Sequence, residues 1–549
     1  MKKYLVWIGA AVLVMALASP SMAQFRTWGH LEIESYWDSN ISLNRDLTNA
    51  NYQGVGMRYR FNLGYGDPKT VMAVLGFEAN SRGFGETPSD SGAQVIPTSF
   101  NPAGTQPVIG NAGSVSLAGK TGAGDWGTDT IGLYVRHAYL DFTIPNTPLT
   151  MQVGMQNVVI GGFLGRFFFN KDVPAFFLNG NFAPSTLSAF WLKGVKQNYY
   201  MDNDLDFYGL LYRLKQPTVN VEAWFVYAND RRSVVDTFAL YRQAGATSNV
   251  PAATTSYPTT TTAYNYYITE VITPRGYEQK PWWLGGNVPM VFGNLKIEPT
   301  AIYLGGKFSD AVNGQNPNVT SNADFNAYLG DLTISYRLGP GLSFLVEGFY
   351  ATGHDGTKNT YKGDTENQWM SPGVNADGTE NRNVFGNGWS VFYFSNTELS
   401  YYACKQIGIG GHAFGRANVE YNPFAWLNLN ANYLYIVNTA NKYVGHINGI
   451  DITNPNSSYA STAVTTGFKA DGTPNTPAGV DVSKSYIGSE LNLIAKIAIY
   501  KDFLYKIGFG YFFPGDVYNI AGGGVNPMYP NGKTADQGWA LLTNLMYVF

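Results

Sequence analysis

The sequence predicts an all-β protein: a single transmembrane antiparallel β-barrel of 16 to 18 strands with long external loops. Three observations predict it. Apolar and polar residues alternate with a period of two through most of the chain, the side-chain repeat of strands with two different faces. Short turns alternate with long loops, the rhythm of barrels that cross a bacterial outer membrane. Charged residues make up 14% of the chain against 15% aromatics, whereas a soluble domain carries about 25% charge. An outer face in contact with lipid accounts for this imbalance, because it takes apolar and aromatic side chains and few charges.

The first residues read as an export signal. Lys2 and Lys3 form a positive start, Leu5 to Ala18 an uncharged apolar run, Pro20 a helix breaker, and Ser21-Met22-Ala23 the cleavage-site residues. Residues 1–23 are therefore expected to be a signal peptide and residues 24–549 the barrel. No later segment has the roughly twenty unbroken apolar residues of a membrane helix. The remaining way into a membrane is a closed barrel, which satisfies every backbone N–H and C=O in lipid. The expected location is the outer membrane of a Gram-negative-type bacterium, among its lipid and lipopolysaccharide.

The strands can be taken in order. In Gly56 to Tyr65, Met57, Tyr59, Phe61, Leu63 and Tyr65 share one face, opposite Arg58, Arg60 and Asn62. From Asp331 to Leu338, Leu332, Ile334, Tyr336 and Leu338 oppose Asp331, Thr333, Ser335 and Arg337. From Leu427 to Val437 an apolar face opposes Asn428, Asn430 and Asn432, and in Ile487 to Ile499 one opposes Glu490, Asn492 and Lys496. Short connections fall at 66–69, 144–148, 215–217, 339–341 and 500–502, and long ones over about 81–128, 229–280, 353–386 and 439–484. Successive strands must reverse direction, and sixteen can be placed on that basis. Ser185 to Lys193 and Ser390 to Ser400 break the parity, and are either loop segments or members of extra pairs that raise the count to 18. Gly538 to Phe549 reads as the last strand, with Trp539, Leu541, Leu545, Tyr547 and Phe549 on one face. A terminal Phe after alternating apolar residues is the signal through which barrel-assembly machinery is expected to engage the chain.

Tyr486 to Asp516 resembles the closing hairpin of the alginate-export family of outer-membrane barrels, in the positions Gly488, Glu490, Leu491, Asn492, Phe512, Gly515 and Asp516. Val153-Gly154-Met155-Gln156 is similar to that family's Gly-Arg-Gln strand, with Met155 in place of the Arg. The resemblance covers some thirty residues well and the rest faintly. It implies a monomeric barrel of about 18 strands, and a channel more than it implies alginate. A missing Arg implies a lumen less basic than a polyanion exporter needs.

Charges on a lipid face cost about 2–4 kcal/mol each for Arg or Lys at mid-membrane, which assigns them to the lumen. The expected pore-lining set is Arg58, Arg60, Arg136, Arg213, Lys296, Arg337 and Lys496 with Glu222, Glu298, Asp331, Glu347, Glu420 and Glu490. The alternation slips at Arg136-His137, which leaves the face of Arg136 open. Near balance in this set predicts weak ion selectivity unless an infolded loop adds charge.

Other classes are not favoured. The net charge of −3 argues against nucleic acid, and the lone Cys404 excludes a disulfide scaffold or a thiolate cluster. His30, His137, His354, His412 and His446 have no metal-ligand spacing, so no cofactor is expected. Asp-Gly pairs at 355, 377 and 471 read as turns rather than calcium ligands, and Asn531-Gly532-Lys533-Thr534 lacks the rest of a phosphate loop. Gly508-Phe509-Gly510 reads as strand glycines at a bend or close contact. With no Ser/His/Asp set visible, the reading is not an enzyme but a porin-like channel for passive passage of hydrophilic solutes. The alternatives are a dedicated exporter of an anionic polysaccharide, or a barrel that sheathes or anchors a partner.

Overall fold

A computed structural model describes residues 24–40, 52–67, 69–81, 132–161, 168–195, 204–231, 239–243, 266–271, 277–310, 323–353, 369, 372, 390–393, 411–439, 446–447, 450–451, 485–516 and 534–549. The expected signal peptide, the Asp-Gly pairs and Cys404 lie outside the described residues. Eighteen strands form the wall. They are β1 (Gln24–Ser39), β2 (Tyr52–Asp67), β3 (Val71–Ser81), β4 (Gly132–Thr143), β5 (Leu149–Ile160) and β6 (Phe169–Phe182). Then come β7 (Ser185–Val195), β8 (Leu205–Lys215), β9 (Asn220–Asp230), β10 (Tyr277–Asn287), β11 (Leu295–Asp310) and β12 (Ala327–Arg337). The last six are β13 (Leu342–Ala351), β14 (His412–Phe424), β15 (Leu427–Asn438), β16 (Tyr486–Tyr500), β17 (Phe503–Pro514) and β18 (Gly538–Val548). Each pairs antiparallel with the next, and β1 pairs with β18 from His30↔Val548 to Ser39↔Trp539, which closes the barrel.

The parity problem in the sequence resolves on two facts. Ser185–Val195 is a full wall strand, joined to β6 by a turn at Ala183-Pro184 too short to register as a loop signal. Ser390–Tyr393 is not part of the wall but lies inside the barrel, and residues 394–400 lie outside the described residues. Eight short turns gather at one end, with the longest at 288–294, while all connections of the other end, from 40–51 to 515–537, are longer.

Outward residues are those whose neighbours along the strand are buried. Tyr208, Leu210 and Tyr212 are exposed on β8 while Phe207 and Leu211 are buried, and on β15 Tyr433 and Tyr435 alternate with buried Leu434 and Ile436. This is the pleat acting as predicted: a belt of aromatic and aliphatic side chains outside, a different face inside. The inside is itself divided. Towards the long-loop end it gathers buried apolar side chains, with Trp224, Ile302, Leu304, Phe349, Phe414, Ile436, Ile487 and Phe512 all at most 4% exposed, beside the buried Glu34, Asp38 and Arg58 of β1 and β2. Towards the short-turn end it carries Glu420, Asn428, Asn430, Lys496, Lys506 and Asn544.

The C-terminal residue is part of the closure. Phe549 exchanges both backbone hydrogen bonds with Gly29 (3.0 and 3.1 Å), and its ring stacks on Tyr59 at 5.8 Å and Phe61 at 6.5 Å. Gly29 is required there, because a Cβ would stand 2.0 Å from the Arg60 carbonyl oxygen and 2.9 Å from the Phe549 ring. Replacing Phe549 with Glu puts a charge on this outer aromatic patch. It should cut the heat-modifiable, folded fraction seen on cold-loaded gels several-fold, and unchanged migration would contradict the role given to Phe549.

Candidate functional site: a lumen narrowed by two infolded segments

Eighteen strands about 4.8 Å apart and tilted by about 40° enclose a tube about 35 Å across at the backbone, too wide for wall side chains to fill. Among the described residues, two segments narrow it. One is the β5–β6 hairpin. Its own ladder is continuous from Leu149↔Gly180 to Ile160↔Phe169, but the ladder to β4 stops at Ala138↔Met155 and that to β7 at Ala175↔Leu192. The upper half of the hairpin therefore leaves the wall. It departs at Gly154, whose φ of +130° and closeness to the Ala138 carbonyl (2.2 Å from an added Cβ) suit no other residue.

The hairpin tip is fastened to strands well beyond its neighbours. Gly161 N–H donates to Glu222 Oε1 (3.0 Å) and the Arg213 guanidinium donates to the Val159 carbonyl (3.2 Å). Phe168, fully buried, packs on Trp224 and Trp283 of β9 and β10 with centroids at 5.5 and 6.0 Å. On its other side Asp172 accepts from Arg136 and faces His137 Nε2 at 3.0 Å. Here the slip in alternation finds its cause: the β3–β4 register shifts between Gly76↔His137 and Phe77↔Val135, a bulge that turns Arg136 and His137 to one partner.

The second segment is residues 390–393, from the long connection between β13 and β14. Glu490, fully buried on β16, accepts hydrogen bonds from the backbone N–H groups of Val391, Phe392 and Tyr393 and from the Ser390 hydroxyl, all at 2.8–3.0 Å. Asn492 Oδ1 takes a further bond from Val391 N–H at 2.9 Å. Successive N–H groups converging on one carboxylate form an anion nest. Gly508, Gly510 and Gly538 leave the adjoining wall bare where Val391 and Phe392 rest, with Val391 Cβ 2.8 Å from a Cβ placed on Gly510. The rings of Phe392 and Tyr393 stack on Phe512 at 5.4 and 5.1 Å, and Tyr393 hydroxyl meets His412 Nε2 at 3.2 Å.

Of the thirteen residues expected to face the lumen, twelve share strand faces opposite the exposed aromatics, and Arg136 joins them through the bulge. Most are held in ion pairs or hydrogen bonds. Arg58 pairs with Glu32 (2.8 Å), Arg60 with Glu78 (2.6 Å), Arg213 with Glu222 (2.7 Å) and Lys296 with Glu298 (2.6 Å). Glu347, fully buried, pairs with Arg416 at 2.5 Å, and Asp331 contacts Thr333. Glu420 accepts from Asn428 at 2.6 Å, Lys496 stands opposite Lys506 across the β16–β17 ladder, and Arg337 is exposed at the short-turn end. Glu490 is a loop anchor rather than an open lining group. Arg416, Asp172, Glu32, Glu78 and Lys506 were missed, although Arg416-Asn418-Glu420 and Glu32-Glu34 alternate plainly in the sequence. The reading of Met155 is corrected. It pairs with Ala138 and shares the outer face with exposed Val153, so an Arg there would not have lined the lumen.

A closed antiparallel barrel, apolar outside and ion-paired within, with its bore narrowed by a hairpin and a loop, is the class of protein these features define. No protein-family model matches the chain, and no curated protein matches it in sequence, so the alginate-export resemblance gains no support. Solved structures of similar fold include Acinetobacter baumannii OccAB1, at 10% identity and TM-score 0.46, covering 96% of this chain and 97% of that one. Pseudomonas aeruginosa OccK11 (OpdR) aligns at 10% identity and TM-score 0.42 over 95% of this chain and 96% of its own. Outer-membrane expressed OmpT of Vibrio cholerae aligns at 10% identity and TM-score 0.36 over 97% and 99%. The exclusion of an enzyme made from sequence is withdrawn. The aligned barrels carry both Occ and OmpT names, and a barrel wall is a scaffold whose chemistry sits in its loops, which lie largely outside the described residues.

Two predictions test this arrangement. Glu490→Ala orphans several buried N–H groups at about 1–3 kcal/mol each. Limited proteolysis should cut the 390–393 region at least about tenfold faster while the wall stays intact, since cleavage follows the opened population. Arg416→Leu strands the buried Glu347 carboxylate and should cost about 3–5 kcal/mol in denaturant unfolding, with Arg416→Leu/Glu347→Leu recovering most of it. A single variant as stable as the wild type would remove the buried pair from the account.

Proposed function

We propose that this barrel is an outer-membrane channel through which small hydrophilic solutes pass passively. The observation that carries the reading is the interior: a bore wider than its side chains can fill, narrowed but lined by paired charges and amides. Such a lining offers a solute replacement hydrogen bonds for its lost water. The apolar belt outside, with short turns at one end and long connections at the other, supports an outer-membrane setting with the short turns in the periplasm. Expected surroundings are lipid and lipopolysaccharide, and Phe549 is the expected handle for barrel assembly.

The finer alginate-export reading draws no support from the motif that suggested it. Glu490, its central residue, spends its carboxylate on the backbone of 390–393, a structural task that any barrel with an infolded loop could use. A polyanion path would need cations along its length without partners of their own, whereas Arg58, Arg60, Arg213 and Lys296 each have a carboxylate within 3 Å. The expected channel is weakly selective. Planar-bilayer recordings under a tenfold salt gradient should give a reversal potential smaller than about a third of the ideal 59 mV of a single-ion electrode. Strong anion selectivity that is lost in Arg58→Ser/Arg60→Ser would overturn the weak-selectivity reading, and absence of any conductance would overturn the channel.

A further inference from the structure

Beneath the infolded hairpin, on the inner wall of β5–β8 at the short-turn end, lies a recess of about 370 Å³. Its lining is mostly neutral and polar. Gln152, Gln156, Asn179 and Asn181 contribute amides, and Thr150, Thr186 and Ser188 contribute hydroxyls. Phe177 lines it as well, its ring stacked on Phe190 at 5.1 Å. The two cations at its border are Arg213, held by Glu222 at 2.7 Å, and Lys215.

We infer that this recess is a binding subsite for a neutral polyhydroxylated solute, a small sugar or polyol, on its way through the channel. The inference rests on the channel reading above and names the solute class for one place in it. Three features carry it. Amide groups present a donor and an acceptor side by side, and hydroxyls present either, so the lining matches groups that are themselves both donor and acceptor. A small carboxylate would instead draw on a cation inside the recess, whereas Arg213 already holds Glu222 and Lys215 is exposed at the rim, where water and salt screen it. Four of the polar groups now hydrogen-bond in pairs, Ser188 Oγ donating to Asn179 Oδ1 at 2.6 Å and Asn181 to Thr150 Oγ1 at 3.4 Å, while Gln152 donates to the neighbouring Asp141 carboxylate at 2.8 Å. A polyol can replace the two neutral pairs without separating charges, which keeps binding weak and exchange fast, as transit requires. The volume suits a small solute and not a folded partner. The hairpin roofs the recess through Gln156 and Val158, so a solute that has passed the narrow part of the bore meets it next.

The test uses the full-length barrel, refolded in detergent and checked for heat-modifiable migration, with maltose and gluconate as probes. Isothermal titration should show saturable maltose binding in the millimolar range that gluconate does not displace. Asn179→Leu and the milder Ser188→Ala, each verified as folded, should weaken it at least tenfold and threefold respectively. No maltose binding by folded wild-type protein, binding unchanged in both variants, or tighter binding of gluconate than of maltose would each overturn the inference. Bilayer conductance recorded on the same preparation separates the two claims. A barrel that conducts but does not bind maltose has lost the subsite and kept the channel. One that binds maltose with the expected variant losses but does not conduct has lost the channel and kept the recess.

Discussion

A strand in lipid that lacks a neighbour leaves a row of N–H and C=O groups with nothing to bond, at several kcal/mol each, and the whole architecture follows from that cost. Eighteen strands, each bonded to two others, leave no edge once β1 meets β18, and Phe549 completes the seam by exchanging its backbone bonds with Gly29. Closure then fixes the rest. With register set by the seam, the pleat sends every second side chain outward, so Tyr, Leu and Val can form the belt while Arg, Glu and Asn are enclosed.

Closure also creates a difficulty that the interior has to meet. A tube of this many strands would be a wide hole, and the upper β5–β6 hairpin gives up its wall bonds to narrow it. Two of the backbone groups it withdraws find other partners, Gly161 N–H in Glu222 and the Val159 carbonyl in Arg213, and the Phe168 side chain packs on two Trp rings. Residues 390–393 use Glu490 and Asn492 in the same manner. This explains why the long-loop half of the inner face holds so many buried apolar side chains. It is a core for two inserts, whereas the half beneath them meets water and carries amides and charges.

The interior charges serve the same economy of pairing. Arg58 with Glu32, Arg60 with Glu78 and Arg416 with Glu347 each tie neighbouring strands on the lumen side, and Arg136 with Asp172 ties the hairpin back to the wall. The desolvation that burial imposes on Arg416 and Glu347 is offset only because each faces the other, and pairing of this kind leaves few bare charges in the bore. At the short-turn end the inner face keeps both charged groups, such as Lys496, Lys506 and Arg337, and the amide-lined recess.

Much of this was legible in the chain because period two is a local property. Alternation alone placed Arg58, Arg60, Asn428, Asn432 and Glu490 opposite the aromatics, and the shortage of charge identified the outer face. The count of strands was not legible, because β6 and β7 meet at Ala183-Pro184 with no run of loop residues between them, while Ser390–Tyr393 has the composition of a strand without being one. The role of Glu490 was hidden because its partners lie about a hundred residues away and are backbone groups, which no side-chain pattern reports. Met155 was misread because a motif gives a residue's neighbours in sequence but not the face it occupies. The sequence by itself determined a barrel and its two faces, since these depend on spacing along one strand. Only the tertiary structure decided where the hairpin leaves the wall, which loop enters the bore and which charges are paired, since these depend on residues brought together by closure.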